Sequence, residues 1–271
     1  MVASVWIGSV ELVTLGIGSS ERSLDQVAEI FPNVPKDELR EQIAAVTGGD
    51  GSAMPWSFNA ALIRLGPHQV LVDTGFGYSD GGPGMGMADL LAEAGTEADR
   101  VDTVVITHAH GDHMGGLMDG EKAAFGRARL CISRREIQAY EGESGLATGL
   151  AGYQDRTVTV EDRDLIAEGP GGSEVRALAA YGHTPGHIGL EIQSGGEKFR
   201  LLVDTAHTLF QLRKPEWSPR YDADPLTATR TRKTLFGQAA DEAIAVLVYH
   251  FPFPGTGTVR RDGAGFRFEP L

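Results

Sequence analysis

The chain has a single cysteine, Cys131, among 271 residues. An internal disulfide is therefore excluded. Cys131 lies in Ala128-Arg-Leu-Cys-Ile132, which reads as a strand, so a buried and inert thiol is expected there. No run of lysine and arginine appears, and the formal net charge is −13. That balance argues against nucleic acid and against anionic membrane surfaces as partners. Long apolar runs are missing too, and no stretch reaches the length of a membrane span. The opening Met-Val-Ala-Ser-Val-Trp-Ile lacks a basic region followed by an apolar core. A cytoplasmic protein that stays off membranes is the expectation.

Histidine is scarce as well, with only eight in the chain. Three of them nevertheless fall in one stretch, Thr107-His-Ala-His-Gly-Asp-His-Met-Gly-Gly116. His108, His110 and His113, with Asp112 between them, are hard to explain without a metal. Neutral imidazole nitrogen and carboxylate oxygen are the usual ligands of zinc and its first-row neighbours. The stretch follows Val101-Asp-Thr-Val-Val-Ile106, which reads as a buried strand. Gly111, Gly115 and Gly116 are expected to let the following backbone fold tightly enough for the side chains to converge.

This stretch alone could hold one ion or two. His108 and His110 can grip one metal while Asp112 and His113 face the other way. Further candidates stand at the ends of other apolar runs. His183 is in Tyr181-Gly-His-Thr-Pro-Gly-His187, Asp204 ends Phe199-Arg-Leu-Leu-Val-Asp204, and His250 ends Ala243-Ile-Ala-Val-Leu-Val-Tyr-His250. Strand ends that meet at one edge of a layered fold are a common place for a site.

On these residues the chain resembles the metallo-β-lactamase-fold hydrolases over roughly residues 50 to 271. The His-x-His-x-Asp-His run, His183, Asp204 and His250 follow that superfamily's binuclear pattern in order, and Leu71-Val-Asp-Thr-Gly75 is similar to its second-strand motif. A narrower likeness, to the branch holding methyl parathion hydrolase and related lactonases, rests on four stretches. These are His250-Phe-Pro-Phe-Pro-Gly255, Asp204-Thr-Ala-His207, Pro215-Glu-Trp217 and Asp222-Ala-Asp224.

The resemblance implies a four-layer αββα sandwich. It implies one ion held by His108, His110 and His183, another by Asp112, His113 and His250, and Asp204 bridging both. Zinc is the first expectation, with manganese, iron and cobalt also suited to such ligands. A hydroxide shared by the two ions would attack an ester-like bond, a lactone before others. Phosphotriesters and arylesters are the alternatives, ahead of a β-lactam amide, whose leaving nitrogen needs a proton donor. A metal-stabilised binding module is the non-enzymatic alternative.

Asp112, Asp73 and His207 are the residues expected to act beyond simple ligation. The ion held by Asp112 would polarise the substrate's oxygen and stabilise the leaving oxygen. Asp73 either fixes the tautomer of a ligand imidazole or shapes the turn before Gly75. Lactonases of this fold often carry a tyrosine where His207 stands. His207 either contacts the substrate's carbonyl or lines the pocket. His187 is expected to hydrogen-bond near the site without ligating, and His68 to be an exposed polar residue.

One domain is expected over residues 1–271, with 16–50 a helical insertion or arm. Residues 5 to 15 read as a strand. Ser23-Leu-Asp-Gln26 has a capping-box pattern, and a second helix opens at Pro35 and ends at Gly48. The arm would form one wall of the pocket or a homodimer contact. A hairpin is expected across Gly66-Pro67, a helix from Met87 to Ala94, one capped by Ser133, and one from Asp224-Pro225 to about Gly237. Met54, Trp56, Phe58, Phe210 and Trp217, with Met85 and Met87 flanking the Gly81–Gly84 loop, would line the pocket. They suggest a small, neutral, partly hydrophobic substrate.

Overall fold

Runs rich in valine, isoleucine and leucine become the central strands. Thr103–Ile106 is buried at all four positions and pairs in parallel with His68–Val72 on one side and Arg129–Ser133 on the other. A strand covered on both faces has no polar side to show, which accounts for its unbroken apolar character. The computed structural model describes residues 1–82 and 84–271; Pro83, in the Gly81–Gly84 loop, lies outside the described residues.

Among the described residues two seven-stranded sheets face each other. The first runs in spatial order Val2–Ile7, Val10–Ser23, Ala53–Leu65, His68–Val72, Thr103–Ile106, Arg129–Ser133 and Thr157–Val160. The second runs Leu165–Gly169, Ser173–Ala179, Ile188–Ser194, Glu197–Leu201, Ala245–Leu247, Thr256–Asp262 and Gly265–Pro270. Leu12, Leu62 and Val105 of the first sheet share one core with Val175, Leu190 and Phe199 of the second. The outer faces are covered by helices. Leu235, Phe236 and Ala239 of the helix Pro225–Asp241 pack on Val246, Val259 and Phe266. Phe236 is wholly buried, so truncating it to alanine should cost about 3–5 kcal/mol. The expected αββα sandwich is the observed architecture. No helix among the described residues is long and apolar enough to cross a membrane.

The N-terminal segment differs from expectation. Residues 5 to 15 are not one strand but parts of two, joined at Gly8-Ser9, where Gly8 has φ +54°. The second strand continues to Ser23, paired with Ala53–Leu65 along its length. Its burial alternates from Gly18 onward, the period-two pattern of a strand with one wet face. The helical part of the arm is therefore Leu24–Ile30 and Lys36–Thr47, not the whole of 16–50. Ser23 and Gln26 form the expected reciprocal cap, and Gly48 ends the second helix in the left-handed conformation. Pro225–Asp241 runs four residues past Gly237, which sits inside the helix against Arg261 and Phe266. Ser133 stands at the N-cap of Arg134–Ala139 but makes no side-chain cap bond.

Candidate metal centre

Parallel pairing decides where the site lies. Glu197–Leu201 and Ala245–Leu247 run in the same direction, so the turns that follow them deliver Asp204 and His250 to one edge. In the other sheet, His68–Val72 and Thr103–Ile106 do the same for Asp73 and His108. Asp112 and His113 then ride on a single helical turn, Gly111–Met114. That turn lies close against the loop after Asp73. A Cβ on Gly116 would stand 2.3 Å from the Thr74 carbonyl oxygen, and one on Gly115 2.3 Å from that of Phe76. Close approach, not unusual φ, is what these two glycines supply. A Cβ on Gly111 would meet nothing within 4 Å, so that glycine is not required in the same way.

All seven residues singled out as ligands converge. His110 Nδ1 lies 3.0 Å from both His108 Nε2 and His183 Nε2. Across the site, Asp112 Oδ2 is 3.5 Å from His113 Nε2 and 3.6 Å from His250 Nε2. The Asp204 carboxylate stands between these groups. Its Oδ2 is 3.4 Å from His183 Nε2 and 3.1 Å from His250 Nε2, and its Oδ1 is 3.5 Å from His113 Nε2. Four ligands about 2.0–2.1 Å from a zinc ion in a tetrahedron stand roughly 3.3 Å apart, close to these separations. His113 Nε2 and Asp204 Oδ1 are buried with no hydrogen-bond partner. Such atoms are costly to bury, and a cation between them removes the cost. The donor set fits a divalent ion in each group.

Protonation agrees with this chemistry. Burial, then the charge of neighbouring imidazoles, holds His108 well below the usual histidine range and His110 down at about 4. Burial also lowers His183, with Asp222 opposing. Burial pushes Asp112 and Asp204 upward, but the imidazoles of His113 and His250 outweigh it and keep both carboxylates ionised. His113 goes the other way. Its burial favours the neutral ring, yet Asp204, Asp112 and Asp73 overcome that and raise it well above the ordinary value. Two of these carboxylates, Asp204 and Asp112, are the ones that would hold a cation beside this ring, so proton and metal compete there.

A second ring of residues orients the first. Asp73 Oδ2 accepts from His113 Nδ1 at 2.7 Å, and its carboxylate also accepts from the amide and hydroxyl of Thr107, each at 2.9 Å. His183 Nδ1 lies 3.1 Å from Asp222 Oδ1, and buried Arg232 donates to Asp222 Oδ2 at 3.1 Å. His250 Nδ1 donates to the Ser57 carbonyl at 3.0 Å. Glu136, wholly buried, accepts from Ala109 N at 2.8 Å, Thr184 Oγ1 at 2.7 Å and Gly186 N at 2.9 Å. Each imidazole bound in this way has its tautomer fixed and its free nitrogen aimed inward.

His207 is also at the centre. Its Nε2 is 3.3 Å from Asp204 Oδ2, its ring stacks on His250 with centroids 5.1 Å apart, and its Nδ1 is buried without a partner. His183, Asp204 and His207 themselves form a group close enough to ligate. His187 donates from Nδ1 to the Ala180 carbonyl at 2.8 Å, beside His108. His68 is exposed and far from the cluster, 3.9 Å from Asp102. Cys131 is buried, and burial pushes its thiol pKa up. Ser79, in the Gly-x-Ser-x-Gly spacing of Gly77–Gly81, hydrogen-bonds Asp119 at 2.9 Å in an exposed loop and takes no part in the site.

Over the cluster lies a cavity of about 350 Å³. Its walls are Trp56, Phe58, Phe76, Ile30, Tyr221 and Arg22, and its floor includes His110, Asp112, His183, Asp204, His207 and His250. Trp56 and Phe58 line it as expected, and Ile30 makes the arm a wall. Met54 instead faces a second cavity of about 280 Å³, on the other side of His207 and His250. Phe210 and Trp217 pack on each other, and Phe210 on Phe31, away from the cavity. Met87 is buried in the core and Met85 is exposed near the N-terminus. Sequence reading missed Arg22, Ile30, Phe76, Tyr221, Glu136 and Arg232. Only Phe76 carried a signal, since it directly follows the Asp-Thr-Gly motif.

Fold and site together are those of a metal-dependent hydrolase. The chain belongs to the metallo-beta-lactamase superfamily, whose family model matches residues 54–245. Its fold is shared by AidC, a dizinc quorum-quenching lactonase, with a TM-score of 0.87 at 24% identity, covering 100% of this chain and 97% of that one. It is shared also by AbOPH, a hydrolase in the beta lactamase superfamily, with a TM-score of 0.86 at 25% identity and the same coverage. A quorum-quenching N-acyl homoserine lactone lactonase follows at 0.65 and 20%, covering 92% of this chain and 94% of its own. The uncharacterised protein YobT of Bacillus subtilis (strain 168) is 30% identical over 108 residues. That match spans 36% of this chain and 46% of YobT.

Proposed function

We propose that the protein is a binuclear metal hydrolase acting on an ester-like bond, with lactones its preferred form. The observation that carries this reading is the position of Asp204, whose carboxylate reaches imidazoles of both ligand groups at 3.1–3.5 Å. His108, His110 and His183 would hold one ion, and Asp112, His113 and His250 the other, with Asp204 shared. Zinc is the first candidate; manganese, iron and cobalt suit the same nitrogen and oxygen donors. When bound, two divalent ions lower the pKa of water and polarise a carbonyl oxygen.

The chain's own residues do the rest. Asp73 and Asp222 orient His113 and His183. Trp56, Phe58 and Phe76 pack against the apolar part of a substrate and keep water from it. His207, beside Asp204 in the cavity, is placed to hydrogen-bond the carbonyl or the leaving oxygen. The resemblance to AidC, a dizinc lactonase solved with a product N-acyl-homoserine, supports the lactone as substrate form.

The test is turnover across a panel of lactones, arylesters, phosphotriesters and β-lactams, with metal content measured on the same sample. Two equivalents per chain and lactone or arylester turnover well above that of β-lactams are expected. Saturation near one equivalent would remove Asp204 from its shared role. Efficient β-lactam cleavage with negligible lactone cleavage would overturn the substrate assignment.

A further inference from the structure

The geometry points to a second recognition element in this cavity: the Arg22 guanidinium binds a carboxylate that the substrate carries away from its scissile bond. This rests on the hydrolase reading above and narrows it. In place of a wholly neutral substrate, the class becomes an ester or lactone with an apolar body and a free carboxylate.

Strand register puts Arg22 in the wall. It pairs with Met54, two residues from Trp56 on the same strand. Alternate residues share a face, so Arg22 and Trp56 lie on the same side of the sheet, and both line the cavity. Arg22 Nε is buried and has no hydrogen-bond partner, the only arginine nitrogen so placed among the described residues. Acidic residues outnumber basic ones by 37 to 24, so a guanidinium left unsatisfied in a pocket is not for want of carboxylates in the chain.

A second cation packs against two of the wall residues. The Arg220 guanidinium lies over the Tyr221 ring at 5.4 Å, and Arg220 N donates to the Ile30 carbonyl at 2.8 Å. Tyr221 and Ile30 are both cavity walls. The remaining wall, Trp56, Phe58 and Phe76, is aromatic, and charge-assisted hydrogen bonds are strengthened beside such apolar surface. A neutral carbonyl would satisfy one N–H and leave the charge unmatched. A carboxylate accepts from two guanidinium N–H groups together and matches the charge as well.

The test compares para-nitrophenyl hemiglutarate with para-nitrophenyl pentanoate, esters of equal chain length that differ by a terminal carboxylate. Wild-type protein should favour the hemiglutarate. In Arg22→Gln the ratio of kcat/KM for hemiglutarate over pentanoate should fall about 10- to 100-fold, chiefly through KM, with Arg22→Lys between the two. Calorimetry with butanesulfonate reads the anion site without turnover, and Arg22→Gln should weaken that binding about tenfold or more. Circular dichroism and metal content confirm that the variant is folded and loaded. Turnover of both esters with an unchanged ratio and unchanged sulfonate binding overturns the Arg22 site and leaves the hydrolase standing. Sulfonate binding that depends on Arg22, in a protein that cleaves no ester or lactone, leaves the anion site and overturns the hydrolase.

Discussion

Glu136 accepts a hydrogen bond from the Thr184 hydroxyl at 2.7 Å, tying together two loops that carry different members of the His108, His110 and His183 group. The same carboxylate accepts from Ala109 N, between His108 and His110, and from Gly186 N, three residues past His183. Burial pushes its pKa up, and those three donors hold it down. The spacing of the His108, His110 and His183 group therefore depends on a residue that need not touch metal. Glu136→Gln weakens one acceptor, and Glu136→Ala orphans the buried Gly186 amide at about 1–3 kcal/mol and the half-buried Ala109 amide at less. Chelator titration of either variant should release one metal equivalent ahead of the other. Simultaneous release of both, at the parent's chelator concentration, would show that Glu136 serves the fold alone.

Asp73 is the partner of His113. It adopts φ +61°, a conformation that asparagine also tolerates, so Asp73→Asn should preserve the turn. What it loses is the charge that fixes the His113 tautomer. Metal affinity should fall about 10- to 100-fold, read by competition with a fluorescent chelator. An unchanged affinity would make Asp73 a turn former and no more.

His207 lies 3.3 Å from Asp204 without belonging to either three-residue ligand group in the assignment made above. His207→Ala should keep both equivalents of metal while kcat/KM for a lactone drops about 10- to 100-fold, the scale of one or two hydrogen bonds to a polarised oxygen. Loss of one equivalent would make His207 a ligand. Unchanged kinetics would make it a wall residue.

Burial, with the His183 charge second, pushes His187 down to about 3. In an unfolded chain the same ring titrates near about 6.5. Between those values the unfolded state holds the extra proton, so stability falls as pH drops through that window. His187→Asn can still donate to the Ala180 carbonyl but does not titrate. Urea unfolding at matched metal content, between about pH 5 and 7, should give a slope against pH shallower by up to one proton than the parent's. Equal slopes would mean that the ring is not held neutral in the folded chain.

The convergence of the seven residues was readable because each of the four clusters follows an apolar run, and a strand end is where a chain can turn and still be held rigid. Asp73 was readable for the same reason. The cavity walls were not. Arg22 and Ile30 reach the site only because the long strand Val10–Ser23 pairs with Ala53–Leu65 and carries the arm with it. No local pattern in residues 16–30 encodes that pairing. Phe210 and Trp217 misled by nearness in sequence to Asp204: the chain turns into the short helix Phe210–Arg213, and Phe210 is spent on Phe31. Glu136 left no signal, since a buried acceptor for two distant loops leaves no periodic trace. The Gly8-Ser9 turn did have a signal, a two-residue hairpin pair beginning with glycine inside an apolar stretch.

Arg22, Ile30, Trp56 and Phe58 all precede residue 59, whereas the expected ligands begin at His108 and end at His250. Most of the cavity wall thus lies on a length of chain apart from the expected ligands, with Phe76 and Tyr221 completing it. Substitutions in the first 58 residues can reshape most of that wall without touching an expected ligand. Selectivity can therefore be varied from the opening strands with the expected ligands held fixed.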